Sequence, residues 1–449
     1  VLRNDPALAR ILKNSGWLLS AKGASLPIGV AQSVLVARLL GVDGFGTLGV
    51  VATYVATARR LASFRMDEVV VKFVTDALVI RKDHRLAAAT IKLALLAELV
   101  GSIIALGLIW LSVPLVGRFF LGESVAVQFI YLYALTLVTD AVLESTTGAL
   151  QVFGLYRVQA IADVVGKVVT LLGVVVAFVL ERGLSAVVIA YLVGNAVTTA
   201  ILVWAAIGEA RSRLGAGWWR TPLGLLGPTR RELAKFALST NLGATLSLVV
   251  KDSELLWLSY FTSPASAGYY RLAKSWISMV VIPAGPLVKS FYPEIARTIA
   301  ASDVASTRRL LRRGSLLAAV WIVPVGLACL AAAPLAVPWA YGAAFQPAIG
   351  AFALLLLGVG VADIVFWMRP ALLALGRPDV ALRISALHTV LKIGLVITLV
   401  PIGGHLAMAG ITGGLFILGT VLGGTFVLRR LAQQGRETLE STTAGEQGP

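Results

Sequence analysis

Long apolar runs separated by short polar punctuation dominate the chain, and they do not alternate with the period of a half-buried strand. Runs such as Leu93 to Val116, Val164 to Leu180 and Leu316 to Val337 are too long and too continuous for the alternating segments of a β-barrel. A membrane-crossing helix takes about 20 apolar residues. Cutting the chain at its polar breaks predicts twelve such spans: Gly16–Ala37, Phe45–Ala62, Ala87–Val113, Val125–Gly148, Val158–Leu180, Leu184–Ile207, Phe236–Phe261, Gly268–Ser290, Gly314–Val337, Ile349–Trp367, Leu382–Val400 and Leu406–Leu428. Arg65 to Asp76 is too polar to cross and predicts an interfacial helix at the inner end of the second span.

Composition agrees with this segmentation. Of 449 residues 58% are hydrophobic and 14% charged, with a mean hydropathy of +0.86. That excludes a soluble enzyme and also a globular head on one anchor. The formal charge of +16 would suggest nucleic acid in a soluble chain. Here most cations, from Arg59, Arg60, Arg65 and Arg81 through Arg308 and Arg309 to Arg429 and Arg430, fall on one side of the spans, while the other side holds little beyond Arg118 and Arg182. The positive-inside rule then places both termini in the cytoplasm and accounts for the charge without nucleic acid. The chain begins at Val1 without an initiator Met, so a few preceding residues are expected.

The segment 208–232, with Pro222, Pro228 and several Gly, Arg and Trp residues, divides the chain nearly in half. It predicts a six-helix lobe over 1–207, a cytoplasmic linker over 208–232, a second six-helix lobe over 233–428 and a disordered tail over 429–449. Features recur about 220 residues apart along the chain. Gly46 matches Gly268. Pro114-Leu115 before Phe120-Leu121-Gly122 matches Pro334-Leu335 before Ala340-Tyr341-Gly342, and Ala149-Leu150 with Gly154 matches Ala371-Leu372 with Gly376. Six spans per half is an even number, so the halves are expected to be related by an axis along the membrane normal and to enclose a central cavity.

Ionisable side chains at bilayer depth cost about 2.5–3.5 kcal/mol each, so each needs a partner or water. Lys22, Glu98, Asp140, Glu144, Asp163 with Lys167, Lys251-Asp252, Glu254, Arg271, Lys274, Asp363, and His388 with Lys392 all fall within predicted spans. Asp163 and Lys167 are four apart on one helix face and can pair. Arg271 and Lys274 share a face with like charge and need an anion. If Lys22, Lys251, Arg271 and Lys274 line the cavity, it is cationic and suited to phosphate, the alternative being that single lysines snorkel to an interface. The chain has no phosphate loop, and its histidines (His84, His388, His405) and single Cys329 have no metal-ligand spacing. No metal, cofactor or catalytic constellation is expected, and an enzyme reading is weak.

Leu8 to Trp17, Val36-Ala37-Arg38-Leu39-Leu40-Gly41 through Gly46, and Met66 to Val74 resemble the opening of Wzx-type polysaccharide flippases of the MOP exporter superfamily. Asp252 ahead of Ala267 to Lys274, and Pro334 ahead of Tyr341-Gly342 and Phe345, resemble that family's second half. The resemblance implies two six-helix lobes in a V shape that open alternately. It also implies a polyprenyl-diphosphate-linked oligosaccharide as cargo, moved from the cytoplasmic to the outer leaflet of the inner membrane, in company with glycan polymerases or glycosyltransferases. Arg59-Arg60 stand where related lipid II flippases carry an arginine pair ending the second span. The two further C-terminal spans usual in those flippases are absent from the pattern, which makes lipid II a less fitting cargo. Coupling to an H+ or Na+ gradient is implied, with Glu98, Asp140, Glu144, Asp163, Asp252 and Asp363 as candidate carriers. Two alternatives stand beside this: a MATE-type drug or metabolite antiporter, which a cationic lumen disfavours, and a non-transporting scaffold or glycan-assembly enzyme.

Overall fold

The structure is a computed structural model and describes residues 6–116, 124–238, 252–282 and 284–446. Every regular element among them is helical, as the apolar pattern predicts. The chain divides into two compact units, Val1–Leu256 and Trp257–Pro449.

In the first unit, α1 (Pro6–Ala62) holds the first two spans in one run that bends at Gly41, whose φ of 67° is open to glycine at little cost. The chain breaks again at Arg65, in the left-handed region, before α2 (Met66–Thr75). Then follow α3 (His84–Val116), the short helices α4 (Ser124–Ala134), α5 (Thr136–Thr139) and α6 (Leu143–Val152) that together make an interrupted fourth span, α7 (Tyr156–Val179) and α8 (Leu184–Leu214). Small residues let α7 and α8 touch. A Cβ on Gly166 would fall on the Thr198 hydroxyl, and one on Gly194 on the Thr170 hydroxyl. Each threonine in turn donates to its own helix, Thr170 to the Gly166 carbonyl at 2.9 Å and Thr198 to the Gly194 carbonyl at 3.0 Å.

The stretch after Arg65 is helical, and Met66, Val69, Val70, Phe73 and Val74, spaced as one helix face, are buried in a core shared with Ala87, Ile91 and Ala149. Part of the segment 208–232 packs onto the same core. Leu226 and Leu233 are buried in the same core, and Phe236 meets Phe73 edge-on at 5.8 Å. The compact unit accordingly runs on to Leu256.

After α9 (Glu254–Phe261), the second unit contains α10 (Pro264–Val280), α11 (Ala284–Ala300), α12 (Val304–Ala340), α13 (Ala348–Ile364), α14 (Met368–Ala374) and α15 (Pro378–Glu446). Ser263 caps α10 through Ser266 N, with Pro264 in the first turn, and Asp303 caps α12 through Ser306 N at 2.9 Å. The predicted eighth span is shorter than expected, since α10 ends ahead of Pro283. α15 holds the last two spans and bends at Gly404, φ 53°. It continues as helix through Glu446 where the sequence predicts a disordered tail. Leu431 is buried and Gly435 lies against Val304, which gives this extension something to pack on.

The repeat is visible in hydrogen bonds. At the end of α6, Gly154 has φ 77°, its N–H donates to the Gln151 carbonyl at 3.0 Å, and Leu155 N–H donates to the Leu150 carbonyl at 2.8 Å. At the end of α14, Gly376 has φ 68°, its N–H donates to Leu373 at 3.0 Å, and Arg377 N–H donates to Leu372 at 2.9 Å. Both are Schellman turns closing a short helix at equivalent places of the two halves. The Phe120-Leu121-Gly122 motif of the first half lies outside the described residues.

Candidate functional site

The cleft of interest lies within the first unit, about 280 Å³ with its open mouth included, and is lined by Arg59, Ser63, Phe64, Glu98, Gly101, Ser102, Ala105, Asp140 and Glu144. Four elements build it. The last turn of α1 presents Arg59. The middle of α3 presents Glu98, and the break between α5 and α6 presents Asp140 and Glu144. Gly101 lets α3 approach closely, since a Cβ there would stand 2.6 Å from the Ala62 carbonyl oxygen.

The interruption of the fourth span leaves backbone donors without helical partners, and the cleft satisfies them. Glu98 accepts from Glu144 N–H at 2.7 Å on one oxygen and from Ser145 N–H at 2.8 Å on the other, a carboxylate on the N-terminus of α6. Glu144 accepts from Ser63 Oγ at 2.8 Å and from Met66 N–H at 3.3 Å, which ties the start of α2 to α6. Arg59 pairs with Asp140 at 2.7 Å and stands 3.8 Å from Glu144. Its neighbour Arg60 pairs with Asp252, and Arg65 pairs with Glu68. Breaking such a pair on one side only costs about 3–5 kcal/mol where it is buried.

The remaining sequence candidates lie elsewhere. Asp163 pairs with Lys167 at 2.8 Å and accepts from Ser25 Oγ at 2.9 Å, as their spacing suggests. Its side chain is 45% exposed against 13% for Asp140, so the two carboxylates sit in different surroundings. Lys22 is exposed on α1. Arg271 and Lys274 are half-buried one turn apart on α10, and Asp363 is half-buried on α13. Lys251 lies outside the described residues. Of the twelve candidates, the structure therefore gathers Arg59, Glu98, Asp140 and Glu144 into one cleft, with Arg60 and Asp252 paired to each other. Ser63 and the backbone donors of Met66, Glu144 and Ser145 complete it, and no sequence pattern marks these. Among the described residues, no group of His, Cys, Asp and Glu could hold a metal ion.

A family model described as polysaccharide biosynthesis protein matches residues 35–350. The Escherichia coli (strain K12) inner membrane protein YghQ is 26% identical over 301 residues, covering 65% of this chain and 82% of that protein. Among solved structures, an inward-facing multidrug resistance MATE transporter of the MOP superfamily superposes with a TM-score of 0.71 at 14% identity, over 92% of this chain and 96% of that one. The lipid II flippase MurJ in an inward closed conformation gives a TM-score of 0.64 at 14% identity, over 94% and 90%. At those identities the likeness is one of fold. The chain belongs to the polysaccharide biosynthesis protein family and is a multi-pass membrane protein with a twelve-helix fold like that of the MATE transporters, which MurJ also resembles.

Proposed function

We propose that the protein is a flippase that carries a polyprenyl-diphosphate-linked oligosaccharide from the cytoplasmic to the outer leaflet of the inner membrane, by alternating access and driven by an ion gradient. Both termini are then cytoplasmic, and glycan polymerases or glycosyltransferases supply and use the cargo. The observation that carries this reading is the family match across most of the chain, together with a guanidinium held in an open cleft at the end of the second span. Sugars and a diphosphate cannot cross hydrocarbon unaided, so a carrier must replace their water with polar and cationic groups while the polyprenyl tail stays in lipid. Arg59 and Arg60, with Lys22, Lys251, Arg271 and Lys274, supply those cations. A guanidinium suits the role because its fork of donors matches two phosphate oxygens at once.

The test is transfer of a lipid-linked oligosaccharide across vesicles that hold the purified protein. The Lys22→Ala/Lys274→Ala variant is expected to insert normally and lose transfer. Normal transfer in that variant removes Lys22 and Lys274 from the binding site and leaves Arg59 and Arg60 to carry it. Absence of transfer by the unaltered protein alongside export of a small cation would assign it to the MATE-type antiporters instead.

A further inference from the structure

At the start of α12, Arg308, Arg309, Arg312 and Arg313 are exposed, while Thr307, Leu311 and Gly314 beside them are buried. Near the end of α15, Arg429 and Arg430 are exposed between the buried Val427 and Leu431. The two helices meet here, since a Cβ on Gly435 would stand 3.6 Å from Val304. α12 leaves this end of the second unit and the last span of α15 returns to it. With Val304 level with Gly435, a rise of about 1.5 Å per residue places all six arginines in a band about 8 Å deep.

None of the six pairs with a carboxylate among the described residues. Arg430 donates to the Gln433 side chain at 3.3 Å. Asp303, which feels Arg309 through space, accepts from Ser306 N–H at 2.9 Å. Other arginines predicted on that side of the membrane take acids of this chain: Arg65 pairs with Glu68, Arg81 with Asp76, Arg213 with Glu209 and Arg377 with Asp379. The positive-inside rule asks only that cations stand on that side, not that six of them share one band without an anion. One turn further along α12, Leu316, Leu317 and Val320 are exposed, and on α15 so are Val421, Leu422 and Leu428. Both helices are long and apolar enough to cross a membrane.

Unanswered guanidiniums next to exposed apolar rows match a molecule with an anionic head and hydrocarbon tails, whereas a soluble polyanion leaves the apolar rows without a partner. We propose that this face of α12 and α15 binds anionic phospholipids of the cytoplasmic leaflet, with their phosphates on the six guanidiniums and their chains along the apolar rows. The site needs no property of the cargo and goes beyond the flippase reading. Bound phosphates also screen like charges on two touching helices, so the lipid stabilises the fold that binds it.

The experiment gives the full chain in detergent an equimolar mixture of phosphatidylglycerol and phosphatidylcholine with matched chains, and native mass spectrometry counts each lipid retained. Phosphatidylglycerol should be retained over phosphatidylcholine by about tenfold, and it should raise the melting temperature where phosphatidylcholine does not. Arg312→Gln/Arg313→Gln/Arg429→Gln/Arg430→Gln, which alters only exposed side chains, should retain the two lipids equally. Arg81→Gln/Arg213→Gln/Arg297→Gln/Arg383→Gln makes the same change in net charge at arginines paired with acids of this chain, and should keep the preference. Equal retention by the unaltered protein overturns the site, a result that needs no variant. So does a preference kept by the first variant or lost from the second. A rise in melting temperature with inorganic diphosphate as large as that with phosphatidylglycerol would assign the cluster to a soluble anion and overturn the lipid.

Discussion

Gly358→Ala is expected to abolish recovery of folded, monodisperse protein, while Gly394→Ala leaves recovery unchanged. Gly358 on α13 faces Gly413 on α15 so closely that an added Cβ would stand 2.0 Å from the Gly413 Cα and 2.5 Å from its carbonyl carbon and oxygen. Neither obstacle is the end of a flexible side chain, so relief requires the two helix backbones to part. Overpacking costs about 1–3 kcal/mol even where side chains can yield, and more where they cannot. Parting the helices also forfeits the close packing that holds helices together in lipid, where no hydrophobic drive replaces it. Gly394, with open space around its Cβ position, controls for the loss of glycine as such. Size-exclusion profiles and melting curves of the two variants in one detergent decide the matter, and equal stability would show that α13 and α15 do not cross at this pair.

Glu98→Ala is expected to produce the second large loss. It strips acceptors from Glu144 N–H and Ser145 N–H at the start of α6, where, among the described residues, no other side chain takes their place. Each orphaned donor costs about 1–3 kcal/mol. Glu98→Gln separates this role from ion carriage. If Glu98 carried the coupling ion, glutamine would mimic its neutral form and give a stable, uncoupled protein. As an anchor it cannot be so replaced, because glutamine turns an amide donor toward one of the two N–H donors. Thermal melting should place Glu98→Gln below the unaltered protein. A Glu98→Gln variant that melts like it, yet transports without a gradient, would return Glu98 to the ion carriers.

The spans were legible because lipid tolerates only helices whose backbone is satisfied internally, so length and hydropathy alone mark them. The repeat was legible for a similar reason: Gly154 and Gly376 occupy left-handed positions that other residues enter at a cost. The folding of 208–238 onto the first unit was hidden, because its cover depends on Phe73, Leu226 and Phe236 meeting across the chain. Polar composition concealed that a few apolar side chains suffice to dock it. In the cleft, the charges at 59, 98, 140 and 144 stood out as costly within spans. What each one does depends on the break at 140–142 and on which backbone donors it frees, and that break follows from tertiary packing rather than from a proline or glycine.

The most direct test of the central claim is the rate at which a fluorescent polyprenyl-diphosphate-linked oligosaccharide crosses vesicles containing the unaltered protein or Arg59→Ala, with and without a proton gradient. The account predicts transfer by the unaltered protein that quickens with the gradient, and no transfer above that of empty vesicles by Arg59→Ala. Equal transfer by both proteins would contradict it.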